Sequence, residues 1–344
     1  FLTHIRLHTK GRTANRQCLL SGATSIMKNE KLLVIYNTCG LSGKENSDWY
    51  IKSIDSILRQ DANIHLVMSS CCNTQLTRQK VKGTFGDRIS YCFLDSVVPV
   101  NISCNFAALE AVRQHGTNFA AYVYIDSGMN FADQTDVLSK GYNELVKNDY
   151  GILSIQASND NGFEAWLGFK GFVTNENHVI PVGKACNSHI HIFSQAIFDG
   201  FDGRLQPDIF AAYCTESTFT FFAASVGKRW AILKDSIVEH DRGIDGASSG
   251  FSHVGLRQDP SNNLLGGLDM RKILSNPEAW KSGFGYEEIN SVFLHNQAVY
   301  DDSGKHNDPE RLRAWLSQNM FLSKEIIDYE NMANYSFFVG VLND

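Results

Sequence analysis

The chain has 344 residues, 43% of them hydrophobic and 20% charged, which is enough for one large α/β domain with an appendage or for two modest domains. A net charge of −6 without any basic cluster excludes the concentrated positive surface that a nucleic-acid partner needs. There is no run of 18 apolar residues, so no membrane span is predicted, and the N-terminus lacks the order of a signal peptide.

Eight cysteines occur without a CxxC pair, which predicts reduced thiols in a cytoplasmic protein and leaves a disulfide framework or a structural zinc as the lesser reading. Residues 1–26 show neither helical nor strand periodicity. They are read as an extension ahead of Met27, the expected natural start.

In chain order, residues 31–36 (KLLVIY) predict a buried strand, and 47–60 predict a helix with Trp49, Ile51, Ile54, Ile57 and Leu58 on one face and Ser47 or Asp48 as N-cap. Residues 63–69 and 88–94 predict a second and a third strand. A helix over 103–115 ends at Gly116, and a fourth strand over 120–125 runs into Asp126-Ser127-Gly128. Such alternation implies a mostly parallel, doubly wound sheet.

The stretch 151–240 is less regular, with strands expected at 189–193 and 230–233 and a helix over 216–226. Beyond Gly250 a helical tail is expected, with helices at 308–315 and 323–332 that either pack on the domain or mediate self-association into a homo-oligomer. The division that follows is 1–26, a domain over 27–249 with halves meeting near 150, and an extension over 250–344.

In an open α/β sheet ligands gather beyond the carboxyl ends of strands, where Tyr36-Asn37, Ser69-Ser70 and Asp126-Ser127 are expected. Asp126, an acid at the end of a buried strand, suits a metal-holding carboxylate, although the same residue type also forms turns. Glu216 opens a helix, where the dipole favours an acid, so a structural role stands beside a catalytic one. His240 follows a strand between Glu239 and Asp241, and reads as a surface histidine or a ligand. His189 and His191 share a strand face and are ligands or packing residues.

The segment NFAALEAVRQHGTNFAAYVYIDSGMNF resembles the region of GT-A fold glycosyltransferases, nearest the inverting family 2 group, in which a helix beginning near an Asn leads to a strand ending in a DxD-like motif. Residues 186–240 resemble the acceptor half of that family. A strand and short helix lead to Gly200-Phe201-Asp202, an acidic motif follows at Thr215-Glu216, a helix ends at Gly227, and a strand precedes His240.

The resemblance implies a GT-A domain that moves a sugar from a UDP- or GDP-sugar to a glycan or other hydroxyl acceptor. It assigns Asp126 and His240 to Mn²⁺ or Mg²⁺, Tyr36, Asn37, Ser70, Asn105, Asp126 and Ser127 to the nucleotide sugar, and Glu216 to the general base. Three departures stand out. Gly128 replaces the second acid of the motif, Thr215 replaces the first acid of the later one, and Ser69-Ser70-Cys71-Cys72 stands where the family places an Asp against the base. Two other classes remain. One is a nucleotide-sugar-binding module without turnover. The other is a sugar nucleotidyltransferase, for which Leu41-Ser42-Gly43-Lys44 is a poor phosphate loop.

Overall fold

A computed structural model describes residues 30–39, 46–71, 73–94, 100–116, 119–158, 177–182, 188–208, 216–240, 308–324 and 329. The expected extension over 1–26, the start at Met27, Thr215 and most of the tail lie outside the described residues.

Strands β1 (Leu32–Cys39), β2 (Ile64–Cys71), β3 (Ser90–Leu94) and β4 (Ala121–Asp126) are parallel, in the order β3-β2-β1-β4. Helices α1 (Ser47–Leu58), α2 (Gln75–Phe85) and α3 (Val100–His115) connect them. A strand covered on both faces must be apolar on both, and Leu32 through Tyr36 are all essentially buried. Leu33 and Ile35 join the core on the α3 side, and Leu32, Val34 and Tyr36 the core on the α1 side. Helix α1 is capped by Asn46, whose side chain accepts from the Trp49 amide at 3.1 Å, and not by Ser47 or Asp48.

After β4 come β5 (Met129–Asn130), α4 (Val137–Lys147), β6 (Tyr150–Ala157), β7 (His178–Val179), β8 (Ile190–Ser194), α5 (Gln195–Gly200), α6 (Phe219–Ser225), β9 (Arg229–His240) and α7 (Pro309–Asn319). The sheet continues β4-β8-β6-β9-β5, with β7 also on β9. It is a mixed sheet, since β8 runs antiparallel between β4 and β6 while β6 and β9 are parallel. The helix–strand–helix layers of the expected α/β fold are present, and the antiparallel strands are the feature that alternation did not foretell.

Helices α2 and α4 and strands β5, β6 and β7 escaped the sequence reading, for α4 and β6 on local grounds. Gly141 makes α4 look broken, yet a Cβ there would lie 2.6 Å from Ile192 Cδ1, so the glycine is what lets the helix sit on β8. Ser154 and Gln156 interrupt the apolar run of β6.

Leu316 on α7 and the following Met320, Phe321 and Leu322 enter the α3-side core. Asp208, fully buried, ties this segment down by accepting from the Leu322 amide at 2.6 Å and the Tyr329 hydroxyl at 3.0 Å. Burial pushes its carboxyl up to about 6, against the opposing pull of those donors and of Arg204.

A raised folded value means that the stabilising contribution is complete below the ordinary 3.8 and is lost as the pH climbs through about 6. Asp208→Asn, which stays neutral, should therefore gain on the wild type as the pH rises from about 4 to about 7. Urea midpoints of both proteins across that window check this, and a difference that does not change with pH would refute it.

Candidate active site

The sheet reverses its strand order between β1 and β4, so the connections leaving their carboxyl ends diverge and open a crevice. Asn37 and Asp126 are direct register partners across that point. On the α3 face, Ser103 Oγ donates to Asn37 Oδ1 at 2.6 Å, with Ser69 Oγ 3.4 Å from Ser103 Oγ. On the other side the hydroxyls of Ser70 and Thr38 both donate to Asn73 Oδ1, the latter at 3.3 Å. That leaves the buried Asn73 Nδ2 as a donor without a partner among the described residues. Asn73 carries no periodic signal and was not singled out from sequence.

Gly128 has φ +85°, a conformation that strains other residues, and it turns the chain from β4 into β5. Because β5 pairs with the end of β9, Met129 lies opposite His240. Gly128 thus stands two residues after Asp126 for a backbone reason. Asp126 Oδ1 accepts from the Tyr124 hydroxyl, and Oδ2 lies 2.9 Å from His189 Nδ1. The His189 and His240 rings are 4.3 Å apart, centre to centre.

Burial pushes the Asp126 carboxyl up, but the hydrogen bond and charge of His189 and the Tyr124 hydroxyl outweigh it and hold the group below its ordinary value. Burial and the Asp126 charge drive the Tyr124 hydroxyl far up, so it remains a donor. Among the described residues no group of three or more His, Cys, Asp or Glu is set to hold a metal.

The pairing of β4, β8 and β6 sets Tyr124, His191 and Ser154 in one cross-strand row. Ser154 Oγ lies 2.8 Å from His191 Nδ1 and accepts from Trp230 Nε1 at 2.8 Å. His191 Nε2 faces Glu216 Oε1 at 3.8 Å. Glu216 opens the short turn Glu216–Thr218 ahead of α6, and Phe219, edge-on to the His191 and Trp230 rings at 4.8 and 5.4 Å, anchors that turn over the sheet. The two histidines therefore divide: His189 serves Asp126 and His191 faces Glu216.

Of the expected residues, Asn37 and Asp126 are neighbours across the β1 and β4 ends, His240 lies beside the His189 ring that meets Asp126, and Glu216 faces His191. Two expected residues are placed elsewhere. Tyr36 is fully buried in the α1-side core, because the strand pleat sends it to the face opposite Asn37. Asn105, also fully buried, uses Oδ1 to accept from the Leu205 and Gln206 amides at 2.9 and 3.1 Å, and Nδ2 to donate to the Gln206 carbonyl at 2.8 Å. It clamps α3 to residues 205–206, and its hydrogen bonds are spent inside the fold.

No protein-family model matches the chain, and no curated protein matches it. Among solved structures it is similar to Staphylococcus aureus TarS at 18% identity and TM-score 0.45, over 78% of this chain and 43% of that one. This chain therefore spans under half of that TarS chain. It is also similar to residues 1–349 of TarS, at 15% identity and TM-score 0.45, over 85% of this chain and 93% of that one. The third is the mannosyltransferase PcManGT of Pyrobaculum calidifontis in complex with GDP-Man and Mn²⁺, at 13% identity and TM-score 0.44, over 84% and 87% of the two chains. Likenesses this distant carry no residue role to this chain.

Asn105→Ala would strand the amides of Leu205 and Gln206 and the Gln206 carbonyl, and each buried group left unpaired costs ~1–3 kcal/mol. Denaturant unfolding should show a loss on the order of 3 kcal/mol. A loss below about 0.5 kcal/mol would mean that Asn105 is not the clamp.

Proposed function

We propose that the protein is a glycosyltransferase that moves a sugar from a nucleoside-diphosphate donor, UDP- or GDP-linked, to the hydroxyl of a glycan or similar acceptor. One observation carries this reading. Two carboxylates on one face of the sheet are held by separate partners, Asp126 at the strand-order reversal by Tyr124 and His189, and Glu216 beside His191. The element order supports it too, since β8, α5, the turn at Gly200-Phe201-Asp202, Glu216, α6, Gly227 and β9 ending at His240 follow the sequence of parts that the resemblance implied.

In this reading the donor lies across the β1 and β4 ends. Asn37, Ser70, Asn73 and Ser127 surround the nucleotide, and the unpartnered Asn73 Nδ2 meets an acceptor atom of the base. Asp126 and His240 would hold Mn²⁺ or Mg²⁺ together with the diphosphate, and such a cation would supply positive charge against the leaving group. Glu216 takes the proton of the acceptor hydroxyl while the new bond to the anomeric carbon forms and the sugar–phosphate bond breaks, with the electron pair leaving on the diphosphate. A cytoplasmic setting, expected from cysteines without a CxxC pair, belongs to this reading. Among the described residues no helix is long and apolar enough to cross a membrane.

A second reading is a binding module without turnover. It is favoured by the internal hydrogen bonds that occupy both oxygens of Asp126. Release of free or transferred sugar from a donor separates the two readings.

Asp126→Asn should remove the metal-dependent part of UDP or GDP affinity and leave the fold intact. Titration calorimetry with and without Mn²⁺ checks this, and an unchanged metal effect refutes the ligand role. Glu216→Gln removes the proton acceptor at constant size, so single-turnover rates should fall about 10²-fold or more with donor affinity nearly constant. A rate within a few-fold of wild type would end the assignment of Glu216 as base.

A further inference from the structure

Beneath Glu216 lies a polar chain that runs into the core: Trp230, Ser154, His191. Core positions in such a sheet are ordinarily apolar, and a buried polar group is costly unless it is paired. His191 is 2% exposed, and aromatic rings close it in on several sides. Tyr124 stacks at 6.0 Å, Phe219 stands edge-on at 4.8 Å, and Phe193 lies at 6.1 Å. Only its two nitrogens meet polar groups, one at each end of the ring.

The hydrogen-bond directions favour one tautomer, because Ser154 Oγ has no other acceptor for its hydrogen among the described residues. The indole of Trp230 can only donate, so Ser154 Oγ accepts from it. The Ser154 hydroxyl hydrogen then needs an acceptor, and His191 Nδ1 at 2.8 Å provides one. An imidazole that accepts at Nδ1 carries its proton on Nε2 when neutral. Nε2 is the atom that faces Glu216 Oε1, and their separation of 3.8 Å leaves the hydrogen bond to be completed by a small movement of the carboxylate, as catalytic contacts often are before substrate binds.

We propose that His191 is a positioning residue for Glu216, with Ser154 and Trp230 fixing the imidazole so that its Nε2–H is presented to the carboxylate. One oxygen of Glu216 is held by His191 and the other is left to accept the acceptor's proton. This rests on the reading of Glu216 as the base. The geometric part stands apart from that reading and is tested apart from it.

The first measurement is ¹⁵N NMR of the histidine rings in the full chain, which distinguishes the two neutral tautomers. Wild type should show His191 as the Nε2–H form. Ser154→Ala should lose that preference, and Glu216→Gln should shift the Nε2 resonance while leaving Nδ1 nearly in place. An Nδ1–H tautomer in the wild type, or a His191 spectrum indifferent to Glu216→Gln, overturns the proposal whether or not the protein turns over a sugar donor.

The second measurement is kinetic. His191→Ala should lower kcat at least 10-fold with KM for the donor within about two-fold. His191→Gln, whose amide can donate from near the Nε2 position, should recover most of the loss and guards against a folding failure of the alanine variant. Full kcat in a folded His191→Ala protein refutes the positioning role. Absence of turnover in the wild type counts against the proposed function, and the NMR result then decides the His191–Glu216 pairing by itself.

Discussion

The insertion of β8 antiparallel between β4 and β6 is the constraint on which the rest depends. Side chains alternate across a strand, so this pairing brings Tyr124, His191 and Ser154 into one row and puts His189 beside Asp126. A slip of one residue in β8 would send both histidines to the α4 side, where Ile190 and Ile192 now pack. Register is strongly held there because those two isoleucines are themselves fully buried, and Ile192 lies against Gly141 of α4. Apolar packing on one face thus fixes the polar chemistry on the other.

The same economy governs α6. Phe219, Phe221 and Phe222 are fully buried, and Phe219 touches the rings of His191, Phe193 and Trp230. Aromatic pairs of this kind contribute ~0.5–1.5 kcal/mol each beyond their burial, which is enough to hold a short helix that would not persist alone. Glu216 sits one short turn ahead of that anchor, so its position over the sheet is set by core packing and its side chain stays partly exposed. Gly227, at φ +71°, ends the helix and returns the chain to β9, whose far end carries His240.

On the α3 side, the segment around residues 205–208 is held at both ends by buried polar groups. Asn105 pins its start through three hydrogen bonds, and Asp208 accepts from Leu322 and Tyr329 near the C-terminal residues that enter the core. Phe321 packs tilted against Phe201 and Phe222 and lies under the Arg204 guanidinium at 4.0 Å. Met320, Phe321 and Leu322 are therefore part of the same core as α5 and α6. Such polar clamps add direction to a core that hydrophobic burial alone would leave free to shift.

The sequence by itself determined the strands β1 to β4, the helix ending at Gly116, and the carboxylate at the end of β4, because these are long local patterns with caps of their own. Their boundaries hold to within a few residues, and Asp126 stands at the strand end where periodicity put it. Tyr36 and Asn105 were placed at the site because nearness to a strand end or a helix start is a one-dimensional criterion. The pleat turned Tyr36 into one core, and the approach of residues 205–206 occupied Asn105. The division of labour between His189 and His191, the link from Trp230 through Ser154 to Glu216, and the placing of His189 between Asp126 and His240 were decided only by tertiary structure. Each depends on which strands become neighbours and in what register, and hydrogen bonds between residues that far apart in the chain leave no periodic trace in it.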